Sequence, residues 1–129
     1  MDKNISLSDG EWKLMNLLWE QAPRTIAQMV DQLAHDTGWN KNTIFVMLSR
    51  MEDKGAVHFK GGTRSRQYYP AIFKEDVSVR ETESFLKKVY GGSIGMMVAS
   101  MAGQNTLTQK DIEELYAVLR EAEKEAGDA

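Results

Sequence analysis

At Gly55 the spacing of apolar residues changes, from the 3.6-residue period of helices before it to the two-residue period of strands after it. Upstream stand three helix patterns, each with its own start signal. "SDGE" is a capping box, in which Ser8 and Glu11 satisfy each other's free backbone N–H groups; it opens a helix through "WKLMNLLWEQ" that Pro23 ends. Trp12, Leu14, Met15, Leu17, Leu18 and Trp19 cover well over half of its circumference, which makes it the central helix of its domain. "TIAQ", from Thr25, is a second capping box, with Ile26, Met29, Val30 and Leu33 as the buried stripe. "DTGW" is a turn around Gly38, and Asn40 caps a third helix that ends at Gly55. Downstream, "AVHFK" and "QYYP" flank "GGTRSR", the pattern of a β-hairpin with a basic tip. Three helices followed by such a hairpin make the winged form of the helix-turn-helix arrangement.

The third helix, "KNTIFVMLSRMEDKG", carries five apolar residues in a row, Ile44 to Leu48. Ile44, Met47, Leu48 and Met51 form its buried stripe. At about 100° per residue, Val46 then points away from the core and Phe45 lies on its flank. A recognition helix places its N-terminal half in the DNA major groove. Its outward residues here are Lys41, Asn42, Thr43, Phe45, Val46 and Ser49. Asn42 suits adenine, Thr43 suits either kind of base edge, and an apolar side chain has the thymine methyl as its target. Two readings stand for Phe45 and Val46: contact with thymine, or cover for the neighbouring wing and simple exposure.

The basic residues divide by role. Arg64 and Arg66 at the hairpin tip, with Lys60 at its base, are placed for phosphates or an adjacent minor groove. Thr25 opens the second helix and offers its hydroxyl and helix start to a phosphate. Arg50 either holds a phosphate or pairs with Glu52 or Asp53, and Lys54 is equally well a surface lysine favoured by the helix dipole.

The chain has 129 residues, enough for one medium or two small domains, and a net charge of −3. That charge is uneven. Residues 38–70 hold six Lys or Arg against two acids, while residues 77–129 hold six against nine. A local basic footprint is therefore compatible with an acidic whole. The lack of cysteine excludes disulfides, thiolate metal sites and cysteine nucleophiles, and fits a reducing interior. No signal-peptide core opens the sequence and no run reaches the roughly 20 apolar residues of a membrane span, so a cytoplasmic location is expected. His35 and His58 form no metal pair or acid–base dyad, and neither "GGS" nor "GGT" resembles a phosphate cradle. No catalytic residue, metal site or cofactor is expected, and no enzyme activity.

"AIFKEDVS" joins a second unit, giving a winged helix domain over residues 1–73 and a helical domain over 74–129. A helix from Ser78 to Tyr90, a short helix in "SIGMMVASMA" and a last helix from Thr108 are expected. So small a three-helix unit has little core of its own. Its middle helix is apolar nearly all round and must be covered, by a second copy of the chain or by the first domain. The expected dimer surface comprises Phe85, Leu86 and Val89 of the first helix, with Ile94, Met97, Val98 and Met101 of the second. Ile112, Leu115 and Leu119 complete it from the third.

"LSDGEWKLMNLLWE", "NTIFVMLSRMEDKGAV" and "FLKKVYGG" followed by "DIEELYAVL" together resemble the penicillinase and methicillin-resistance repressors, a family that includes copper-responsive members. The resemblance covers nearly the whole chain in order. It implies a homodimeric repressor that binds double-stranded operator DNA with TACA/TGTA-like half-sites, through an N-terminal winged helix and a C-terminal three-helix dimerisation domain. The usual second threonine of the recognition helix is replaced here by Val46, and many members are polar or basic where Phe45 stands. The cysteine-rich motif of the copper-responsive members is missing. β-Lactam-responsive members are released when a sensor protease pathway cuts their fifth helix, commonly at Asn-Phe; the matching position here is Ser100–Met101. Two other readings remain: a winged helix that binds a protein through Phe45 and Val46, or a repressor sensing a small ligand near Tyr90, Met96 and Met97.

Overall fold

The structure, a computed structural model, describes residues 5–62 and 64–127; Thr63 of the expected hairpin tip lies outside them. The described elements follow in the order α1 (Asp9–Glu20), α2 (Ile26–Gln32), α3 (Lys41–Asp53), β1 (Val57–Lys60), β2 (Gln67–Pro70), α4 (Lys74–Tyr90), α5 (Ile94–Gly103) and α6 (Gln109–Gly127). The chain divides into two compact units, Met1–Glu81 and Thr82–Ala129, so the division falls inside α4. This helix begins at Lys74, earlier than the Ser78 expected from its apolar pattern. Two causes act there. Val77 is drawn into the core of the first unit, and Glu75 and Asp76 place negative charge in the first turn, where the helix dipole favours it.

All three N-terminal helix starts are made by their own side chains. Ser8 Oγ accepts from the Glu11 N–H at 3.2 Å while the Glu11 carboxylate accepts from the Ser8 N–H at 2.9 Å. Thr25 and Gln28 form the same reciprocal pair, at 3.2 and 2.8 Å. Asn40 Oδ1 accepts from the Thr43 N–H at 2.8 Å. Between α2 and α3 the backbone reverses through Gly38 at φ +65°, a conformation that a side chain disfavours. These caps fix where each helix starts, and so which residues face inward.

The core of the first unit joins Leu14, Met15 and Leu18 of α1 to Met29 of α2, Leu33 at its C-cap, and Ile44, Leu48 and Met51 of α3. Val57 and Tyr68 close it from the hairpin, and Ile5 and Leu7, ahead of α1, are buried as well. Each large side chain so buried contributes roughly 1.5–3 kcal/mol. Strands β1 and β2 are antiparallel, with Val57 opposite Pro70 and Lys60 opposite Gln67. Arg24 adds a single bridge to this ribbon, donating its N–H to the Tyr68 carbonyl at 3.2 Å and accepting from the Tyr68 N–H at 2.9 Å. Its buried side chain donates to the Leu17 carbonyl at 2.9 Å and to Glu20 at 3.0 Å, so one arginine ties the end of α1 to the wing.

In the second unit the described helices are short of cover. Ser93 caps α5 by accepting from the Met96 N–H at 3.1 Å, and Thr108 caps α6 through a reciprocal pair with Asp111 at 3.1 and 2.9 Å. The Thr108 backbone N–H, and its hydroxyl after it, hold the Asp111 carboxyl below its usual range. No residue of α5 or α6 is buried. Ile94 is 63% exposed and Met101 41%; Phe85, Val89, Ile112 and Leu119 are exposed too, while Met97, Val98 and Leu115 are half-covered. Leu86 departs from expectation, since it is buried within the single chain. It sits at the end of the α4 pattern, where the Gly92 N–H returns to its carbonyl at 3.0 Å.

Candidate nucleic-acid interface

The start of α2, the first turns of α3 and the hairpin tip meet in an open cleft of about 540 Å³. Thr25, Lys41, Asn42, Phe45, Arg64 and Arg66, six residues singled out in the sequence, line it together. Ile26, Ala27 and Ser65 complete the lining, and no acidic side chain does so among the described residues. Sequence reasoning missed Ser65, whose N–H donates to the Gly62 carbonyl at 3.0 Å and so shapes the tip. Gly61 permits that shape: it adopts φ +98°, and a Cβ there would meet the Ser65 carbonyl oxygen at 2.9 Å.

Within the cleft the side chains differ in freedom. Thr25 Oγ1 already accepts from Gln28, which leaves its hydroxyl proton to give. Lys41 and Asn42 are exposed on the first turn of α3, and Arg64 is exposed at the tip. Arg66 departs from its expected place at the tip. It is half-buried at the foot of β2, with its guanidinium 4.0 Å from the Phe59 ring centre and 5.6 Å from that of Phe45.

The remaining candidates lie outside the cleft lining. Val46 is 39% exposed on the outer face of α3, where the helical period puts it, much as Phe45 of the cleft lining is at 37%. Thr43 and Ser49 are half-buried, and the Ser49 hydroxyl donates to the Phe45 carbonyl of its own helix at 3.0 Å. Arg50 is exposed, and no ion pair joins it to Glu52 or Asp53. Lys60 extends over the Tyr69 ring at 5.3 Å. Lys54 belongs to the scaffold, pairing with Glu11 at 2.8 Å. Of Tyr90, Met96 and Met97, only Met97 lines the apolar cavity of about 390 Å³ that α5 and α6 form with Met101, Leu107 and Val118. No helix of the described residues is long and apolar enough to cross a membrane.

Three capped helices, a tight turn between the last two and a two-stranded hairpin with a basic cleft beside the third helix define the winged helix-turn-helix class. The solution structure of the DNA-binding domain of the repressor BlaI has this fold in common, with a TM-score of 0.51 and 29% identity, over 59% of this chain and 93% of that one. The chain belongs to the penicillinase repressor family, whose sequence profile matches residues 7–121. It is 30% identical over 121 residues to the penicillinase repressor of Bacillus licheniformis, covering 94% of each chain. It is 26% identical over 118 residues to the methicillin resistance regulatory protein MecI of Staphylococcus aureus strain N315, covering 92% of this chain and 96% of the relative.

Proposed function

We propose that this protein is a DNA-binding transcriptional repressor that acts as a homodimer on paired TACA/TGTA-like half-sites. The observation that carries the reading is the acid-free cleft in which Thr25, Lys41, Asn42, Arg64 and Arg66 converge beside the outward face of α3. In this reading α3 enters the major groove. Asn42 and Thr43 address base edges, and Val46 lies against a thymine methyl. Arg64, Arg66, Lys60 and the Thr25 hydroxyl hold phosphates and set the register. Arg50, which has no ion-pair partner among the described residues, is a further phosphate contact.

Dimerisation through the second unit accounts for its uncovered apolar residues. Phe85, Val89, Ile94, Met101, Ile112 and Leu119 are too many and too close along the sequence for a unit of this size to leave in water. Two linked half-site contacts then supply avidity that one copy lacks. The bond matching the family's cleavage position, Ser100–Met101, lies inside α5; the Ser100 carbonyl accepts from the Gln104 N–H at 3.2 Å. A sensor-linked protease reaches it only after the helix opens, and the cut separates α6 from most of α5.

Electrophoretic shift with the upstream region of the protein's own gene tests the reading. Retarded duplex that is released steeply as salt rises supports it, because neutralised phosphates give up condensed counterions. No shift at micromolar protein would favour a winged helix that docks on another protein.

A further inference from the structure

Phe45 stands on the recognition helix, yet its ring faces the wing. The Arg66 guanidinium is stacked over Phe59 at 4.0 Å and lies 5.6 Å from Phe45, both within the range of a cation–π contact. Phe59 is itself braced, with its ring 5.7 Å from that of the buried Tyr68. The Arg66 Nε is buried and has no hydrogen-bond partner, and among the described residues no carboxylate pairs with the guanidinium. Aromatic faces, not hydrogen bonds, therefore hold this charge at the rim of the cleft. Its outer N–H groups stay available, in the planar geometry that suits phosphate oxygens.

The geometry points to Phe45 as a positioning residue: together with Phe59 it orients Arg66 toward a DNA phosphate, so that recognition helix and wing engage the backbone as one piece. This rests on the DNA-binding reading and reassigns one residue within it. A thymine reader needs an unobstructed ring, whereas the Phe45 ring already serves the arginine. An arginine fixed before binding loses less side-chain freedom when the phosphate arrives, which is where the affinity gain originates. Neutral leucine fills similar space but lacks the ring quadrupole; tyrosine keeps it.

The test is fluorescence anisotropy of the full chain on a labelled duplex with inverted TACA and TGTA half-sites, and on a scrambled duplex, across a salt series. Phe45→Leu is expected to weaken binding to both duplexes alike, by roughly three- to tenfold. It should also flatten the plot of log affinity against log salt by up to about one unit. Phe45→Tyr should restore affinity and slope. In an Arg66→Ala background Phe45→Leu should add less than about twofold, since the contact it supports is already gone. Replacing operator thymines with uracil should leave the Phe45→Leu ratio unchanged. Additive effects of the two substitutions, an unaltered salt slope, or a ratio that vanishes with uracil would overturn the assignment while leaving the repressor reading intact. Wild-type protein that binds neither duplex would overturn both.

Discussion

The Lys54 ammonium lies 2.8 Å from Oε1 of Glu11 and also donates to the Ser6 carbonyl at 2.9 Å, so the end of α3 is tied to the start of α1. Glu11 is at the same time the second half of the α1 capping box and only 6% exposed. One carboxylate thus sets the start of the central helix and braces the end of the helix that carries the candidate base contacts. The candidate recognition surface is held by its own scaffold.

Burial pushes the Glu11 carboxyl up, but the Lys54 hydrogen bond and charge and the Ser8 N–H outweigh it and hold the group below its ordinary 4.5. A lowered folded value means that the unfolded chain takes up the proton first. The stabilisation is complete above the unfolded value and is lost as pH falls through the folded one. Glu11→Gln is expected to lower stability by about 1–2 kcal/mol at neutral pH. The gap from wild type should narrow as pH falls below the ordinary 4.5, as read from urea unfolding at a series of pH values.

Val46→Ala should weaken operator binding roughly threefold to tenfold, the value of about one buried methyl group or two. The loss should concentrate at one base pair. Uracil in place of the contacted thymine should bind wild type and variant with nearly equal affinity, which anisotropy with singly substituted duplexes would reveal.

Arg64 is exposed at the hairpin tip with a phosphate as its proposed target. Arg64→Ala should weaken binding to operator and scrambled duplex by the same factor and reduce the salt slope by about one. A loss confined to the operator would assign Arg64 to a base edge instead.

Ile94 is 63% exposed in the single chain, so Ile94→Asp buries no new charge within one copy. Sedimentation equilibrium should show dimers for wild type and monomers for the variant at micromolar concentration. Operator affinity should fall by about 10²-fold or more as the avidity of two half-sites is lost. Dimers unaffected by this charge would place the interface elsewhere.

The order of elements in the first unit was legible in the sequence because local chemistry specifies it. The Ser8, Thr25 and Asn40 caps act over three residues, Gly38 supplies a backbone conformation others avoid, and the period switch at Gly55 is read from neighbours alone. The outward placement of Val46 followed from the helical period in the same way. What lay beyond reach were contacts between residues far apart in the chain. Arg24 bridging to Tyr68, Lys54 reaching Glu11, α4 extended back to Lys74 by the burial of Val77, and Arg66 turned from the tip onto Phe59 each depend on a partner that only packing brings close. Sequence pattern fixes which face of a helix is apolar; the tertiary fold decides which charge comes to rest against it, because that choice follows from distances in space and not along the chain.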